Sequence, residues 1–185
     1  MEDEKVIVFD PEYCSGCMRC MTACSTYNNG ATSLAKSRLH IVRHEGHAIT
    51  KANEEDDLIF DVITCQQCDE PYCLYFCPTL AIERDAATRA VTINRDKCIV
   101  CRMCVVSCPF GAILYDADKR QVIKCELCGG EPQCVKFCPT DALQFLPKKL
   151  VHLPKRDRLA RMMIQFRARG MEPIPVNEEK PDVTS

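Results

Sequence analysis

Apolar and polar residues alternate from Val6 to Asp10, where Pro11 stops the run, and this predicts a short strand leading into a turn. The same pattern returns over Val91–Arg95. Arg38–Val42 and Leu58–Thr64 also read as strands, with a turn at Glu45-Gly46 and a solvated acidic run, Glu54–Asp57, between them. Near the C-terminus the period changes. Leu159, Met162, Met163 and Phe166 fall at i, i+3, i+4 and i+7, one face of a helix over Lys155–Arg169 with Gly170 as its cap. That helix carries six basic residues and one acidic, a net charge of +5. Beyond it the chain is acidic and punctuated by proline, which predicts an extended or disordered tail. Short strands mixed with short helices make the expected class α+β.

Cysteine interrupts these elements at regular places. Cys98, Cys101, Cys104 and Cys108, followed by Pro109, have the C-x2-C-x2-C-x3-C-P spacing of a cubane iron–sulfur site. Three thiolates on such a loop cap one cluster, and the fourth, directed away, serves a neighbour. Three further quartets account for the rest of the sixteen cysteines: Cys14, Cys17, Cys20, Cys24; Cys65, Cys68, Cys73, Cys77; and Cys125, Cys128, Cys134, Cys138. Sixteen ligands suit four 4Fe–4S clusters. The first and third quartets share one spacing, while the second and fourth match as VITCQQCDEPYCLYFCPT and VIKCELCGGEPQCVKFCPT, so the chain reads as a tandem duplication. Cys77, Cys108 and Cys138 each continue as C-P-x2-A-[I/L]. Cys24 instead opens a 40-residue insertion, 25–64, too long to lack structure.

Composition narrows the picture further. The chain has 185 residues, no tryptophan and 6% aromatic residues, and its 46% hydrophobic fraction includes the cysteines, so the remaining core is modest and the clusters are expected to act as cross-links. A formal charge of −2 argues against nucleic-acid binding. The acidic N-terminus carries no basic or apolar leader, which predicts a cytoplasmic protein. No apolar run approaches the roughly 18 residues of a membrane span, so no direct membrane crossing is expected. Disulfide scaffolds of this density belong to short secreted chains, and structural zinc takes separated C-x2-C pairs, unlike the first and third quartets. His40, His44 and His47, with no cysteine beside them in the insertion, read as ordinary surface histidines. Ile99, Val105, Val106, Phe110 and Ile113, with Leu74, Phe76 and Ile82, are expected to keep water from the clusters.

The second and third quartets, joined by 20 residues, resemble the interior of a bacterial two-cluster ferredoxin. That resemblance implies one cluster on Cys65, Cys68, Cys73 and Cys108, and its neighbour on Cys98, Cys101, Cys104 and Cys77. The outer quartets then pair with each other: Cys14, Cys17, Cys20 and Cys138 on a third cluster, and Cys125, Cys128, Cys134 and Cys24 on a fourth. The whole resembles the four-cluster electron-transfer subunits of molybdenum and tungsten oxidoreductases and of hydrogenases, the small subunit of tungsten aldehyde oxidoreductases most of all. It implies two nested ferredoxin-like modules: 1–24 with 109–147 as the first and 65–108 as the second, with 25–64 as an insertion and 148–185 as a basic helix and tail for partner contact. The implied partner is a large catalytic subunit with a tungsten or molybdenum pterin, and a flavin- or NAD-linked subunit or ferredoxin stands at the other end. Self-association through the tail is a further expectation. No nucleotide fingerprint, flavin motif or catalytic dyad is evident in the chain itself. A freestanding polyferredoxin carrier, a hydrogenase or formate dehydrogenase subunit and a zinc-bearing interaction module are the alternative readings.

Overall fold

The computed structural model describes residues 4–44 and 59–153, together with 156, 160 and 164. The chain forms two compact units, Met1–Lys149 and Leu150–Ser185. In the second, His152, Leu153, Arg156, Ala160 and Ile164 are helical, in keeping with the predicted helix. Its apolar stripe and the tail lie outside the described residues, as do His47, the Glu45-Gly46 turn and the acidic run.

The first unit is one segment repeated four times: strand, cysteine quartet, helix, strand. Strands β1 (Lys5–Phe9) and β2 (Leu39–His44) flank the first quartet and α1 (Arg19–Asn29). Strands β3 (Ile59–Thr64) and β4 (Ile82–Arg84) flank the second quartet and α2 (Tyr72–Tyr75). The third segment comprises β5 (Val91–Ile93), α3 (Met103–Ser107) and β6 (Ile113–Asp116), and the fourth β7 (Gln121–Lys124), α4 (Gln133–Lys136) and β8 (Leu143–Pro147). The last strand of each segment pairs antiparallel with the first strand of the next, as β2–β3, β4–β5 and β6–β7. β8 returns to pair with β1, from Lys5 opposite Pro147 to Phe9 opposite Leu143, and closes the series into a ring.

Local chemistry sets the turns. In both central hairpins an aspartate ends the first strand and bends the chain by accepting backbone N–H groups two and three residues on. Asp85 accepts from Ala87 at 3.1 Å and Thr88 at 2.7 Å, and Asp116 from Asp118 at 3.0 Å and Lys119 at 3.2 Å. Each turn ends in a left-handed arginine, Arg89 or Arg120. The strand expected over Val91–Arg95 stops at Ile93, because the Asn94 side chain accepts the Asp96 N–H at 3.0 Å and turns the chain toward Cys98.

Two buried groups of side chains form the interior. One joins Ile7, Met21, Leu39, Leu127 and Leu143 with Cys20, Cys24, Cys125 and Cys134. The other joins Ile82, Val91, Ile93, Ile113 and Val122 with Cys73 and Cys104. α1 packs on α4 and α2 on α3, so the outer quartets share one group and the inner quartets the other. Polar ties cross between them. Glu4 holds both Arg84 (3.2 Å) and Lys148 (3.1 Å), Lys148 reaches Asp69 at 2.6 Å, and Glu126, which also pairs with Arg38 at 2.8 Å, accepts the Ile93 N–H at 3.3 Å. His40, expected at the surface, is half-buried, and its Nε2 is enclosed without a hydrogen-bond partner among the described residues.

The insertion hairpin β2–β3 also seals the first cysteine loop. Gly16 has φ +67°, and a Cβ built there would lie 2.2 Å from Cζ of Phe60 on β3. Gly16→Ala is therefore expected to destabilise by about 1–3 kcal/mol, from ring displacement and left-handed strain together. Urea denaturation should show a lower midpoint for this variant, and adding Phe60→Ala should restore less stability than the clash alone removed, because the left-handed strain remains.

Candidate iron–sulfur sites

Each C-x-x-C turn owes its shape to a left-handed residue just before its second cysteine: Gly16, Gln67, Val100 and Leu127. Successive backbone N–H groups in such turns converge and form a concavity suited to an anion. Met18 and Arg102 repeat the conformation immediately after Cys17 and Cys101. The β-branched Val100 at φ +59° is costly for the backbone, and the surrounding loop holds it there.

The third and fourth cysteines of every quartet are four residues apart along α1–α4 or their immediate ends. On a helix that spacing keeps both side chains on one face but separates them by about one turn, roughly 6 Å along the axis. They consequently open onto different cavities. Cys14, Cys17 and Cys20 line one with Cys138. Cys125, Cys128 and Cys134 line a second with Cys24. Cys65, Cys68 and Cys73 line a third with Cys108, and Cys98, Cys101 and Cys104 a fourth with Cys77. Every one of the sixteen thiols is free.

The surroundings suit a polynuclear thiolate-ligated anion. Cys24 Sγ receives the Arg38 N–H at 3.3 Å and the Asn28 amide at 3.6 Å, and Cys77 Sγ receives the Ala81 N–H at 3.2 Å. Burial raises the pKa of Cys77 and Cys138, but hydrogen bonds from Ala81, Thr79 and Ile82 to the first and from Leu143, Thr140 and Ala142 to the second outweigh it. Both therefore lie below the ordinary thiol value. At four other cysteines burial prevails, pushing Cys20 and Cys73 up to about 11, Cys125 up to about 12, and Cys134 upward as well. As free thiols these groups favour the neutral form, so their contribution to folding is complete below pH 9 and is lost as pH rises through about 11 to 12. Ligation requires the opposite form. Loading therefore releases protons, and acid opposes it.

The cavities follow one another in order. Cys20 of the first cavity shares a buried group with Cys125 and Cys134 of the second, Cys65 of the third packs against that group, and Cys73 of the third shares the other group with Cys104 of the fourth. Cys17 and Cys101, in the two end cavities, are solvent-exposed.

Of the apolar residues expected to exclude water, Ile82 and Ile113 are buried, and Leu74 and Val105 pack partly inside. Ile99, Phe110, Phe76 and Val106 are exposed, Val106 by 83%, but Ile99 still lines the fourth cavity and Phe110 the third. A helix of five residues turns only one side inward, and Val106 falls on the outer side of α3. Sequence reading also missed Gln67 and Lys124, both buried. Comparing the matched repeats would have flagged them, since Thr64 and Gln67 stand where Lys124 and Leu127 do.

The 4Fe–4S dicluster domain family matches residues 56–148, and a 4Fe–4S binding domain matches 11–27. Subunit beta of the NADH-dependent phenylglyoxylate dehydrogenase of Aromatoleum evansii is 36% identical over 140 residues, 76% of this chain but 30% of that protein. The polyferredoxin-like subunit of the aliphatic sulfonate oxidoreductase of Pyrococcus furiosus is 35% identical over 136 residues, covering 71% of this chain and 70% of that subunit. The B subunit of the anaerobic dimethyl sulfoxide reductase of Haemophilus influenzae is 34% identical over 153 residues, 75% of this chain and 72% of that subunit.

Cys24→Ser should perturb the site lined by Cys125, Cys128 and Cys134, a hundred residues away, and leave that of Cys65, Cys68 and Cys73 intact. EPR of the reduced variant, compared with Cys128→Ser and Cys68→Ser, would read this: the altered signal should be the one lost in Cys128→Ser.

Proposed function

The chain belongs to the 4Fe–4S dicluster domain family, and on that footing we propose that it is an electron-transfer subunit carrying four 4Fe–4S clusters and serving a separate catalytic oxidoreductase subunit. The observation that carries this reading is the division of sixteen free cysteines into four sets of four around four successive cavities. Cys14, Cys17, Cys20 and Cys138 would hold the first cluster; Cys24, Cys125, Cys128 and Cys134 the second; Cys65, Cys68, Cys73 and Cys108 the third; and Cys77, Cys98, Cys101 and Cys104 the fourth. Bound clusters with four thiolate ligands supply one-electron transfer, with no open position for a substrate. The protein's own groups do the rest. Backbone N–H groups of Arg38 and Ala81 steady the sulfurs, while Ile7, Leu39, Ile82, Ile93 and Ile113 keep the walls apolar.

A catalytic partner fits the surface. Tyr75, Phe76, Ile99, Met103, Val106 and Phe110 are exposed large apolar side chains near the third and fourth cavities, and such accumulations mark contact surfaces. The names of the relatives support an oxidoreductase complex, and we assign the partner a tungsten or molybdenum pterin, with a tungsten aldehyde oxidoreductase as the specific proposal. Electrons would pass onward to a flavin- or NAD-linked subunit or a ferredoxin, an arrangement in keeping with the NADH dependence named for the A. evansii relative. Among the described residues no helix is long and apolar enough to cross a membrane; cytoplasmic residence is part of the proposal.

Anaerobically prepared protein should contain about 16 iron and 16 sulfide per chain, four of each for every cubane. It should also copurify with a larger subunit that carries tungsten or molybdenum. Eight iron in fully loaded protein, or four zinc, would contradict the four-cluster reading, and a monomer with full iron would favour the freestanding carrier.

A further inference from the structure

Lys124 ends β7 one residue before Cys125 and is wholly enclosed, at 0% exposure. Its ammonium donates to the carbonyl of Val91 and, at 2.7 Å, to that of Cys125. The amide of buried Gln67 completes the knot, accepting the Val91 N–H at 2.8 Å and donating to Cys125 O at 3.1 Å. Four parts of the fold meet here: the Cys65–Cys68 turn, β5, β7 and the start of the fourth quartet. Among the described residues no carboxylate pairs with this ammonium.

A buried cation without an ion-pair partner is costly unless some other anion offsets it. The anions nearest it would be the proposed thiolate-ligated clusters, because Val91, whose carbonyl it holds, lines the third cavity and Cys125 lines the second. One ammonium thus stands between the second and third cavities, at the junction between the two halves. The matching position in the sister repeat, Thr64, is equally enclosed but neutral. In a low-dielectric interior, a fixed positive charge favours the more negative of two redox states, and net charge is among the main determinants of cluster potential.

We propose that Lys124 sets the reduction potentials of the two inner clusters, raising both relative to what their cysteines alone would give, and so eases electron passage between the halves. The inference rests on the four-cluster reading. It differs from a purely structural role, in which Lys124 only ties β7 to Val91 and could be replaced by any neutral donor without electronic effect.

Potentiometric titration of the loaded full-length chain, followed by EPR, tests it. The variants are Lys124→Met and Lys124→Gln, the second of which keeps an amide donor for the carbonyls while removing the charge. Two of four one-electron transitions should fall in both variants, each by about a tenfold change in equilibrium constant, roughly 59 mV. The two that move should be those lost in Cys128→Ser and Cys68→Ser. Unmoved potentials, a common shift of all four, or loss of iron from both neutral variants would overturn the assignment and leave Lys124 as a structural tie. Fewer than four transitions in the wild-type chain, with iron well below sixteen, would overturn the four-cluster reading and this inference with it.

Discussion

A cubane site needs four thiolates at once, and none of the four quartets turns all its cysteines toward one cavity. The spacing of four residues along each short helix sends the last cysteine one turn further on, where it meets the first three of another quartet. The proposed sharing of ligands between quartets would therefore be a folding constraint as well as a feature of the sites. Cys138 can join Cys14, Cys17 and Cys20 only if the chain returns to its start, and the pairing of β8 with β1 is the backbone expression of that return. α1 against α4 and α2 against α3 follow from the same requirement.

The chain has little else to hold it together. Much of each buried group consists of the cysteines themselves, and the described helices α2–α4 are too short to be stable alone. Buried neutral thiols tolerate the apolar surroundings, whereas buried thiolates need the charge and hydrogen bonds of what they ligate. The proposed clusters thus occupy the place a larger protein would fill with aromatic and aliphatic side chains. Left-handed backbone at Val100, Leu127 and Gln67 is the local strain that this arrangement sustains.

Much of this was legible in the sequence because cysteine spacing is a discrete signal. The quartets, the strands expected before the first three and the C-P-x2-A-[I/L] continuation of the last three map directly onto the repeated segments. Exposure was less legible. Val106 is as apolar as Val105, but a helix of five residues offers no periodicity from which to tell its inner from its outer side. His40 read as a surface residue because alternation on β2 gives no hint of what covers that face. Lys124 was missed for a different reason: a lysine beside a cysteine in a hairpin strand looks solvated until the fold closes over it. The Asp85 and Asp116 turns could have been found as a repeat, D-A-x-x-R, whose aspartate and left-handed arginine fix the two central hairpins.

An anomalous difference map at the iron edge, from anaerobic crystals of the full chain, addresses the central claim most directly. It should contain four separate four-iron sites in succession, with Cys138 Sγ on the same iron–sulfur group as Cys14 and Cys24 Sγ on that of Cys125. Cys24 ligating the group held by Cys65, Cys68 and Cys73, or single metal peaks in place of four-iron sites, would contradict it.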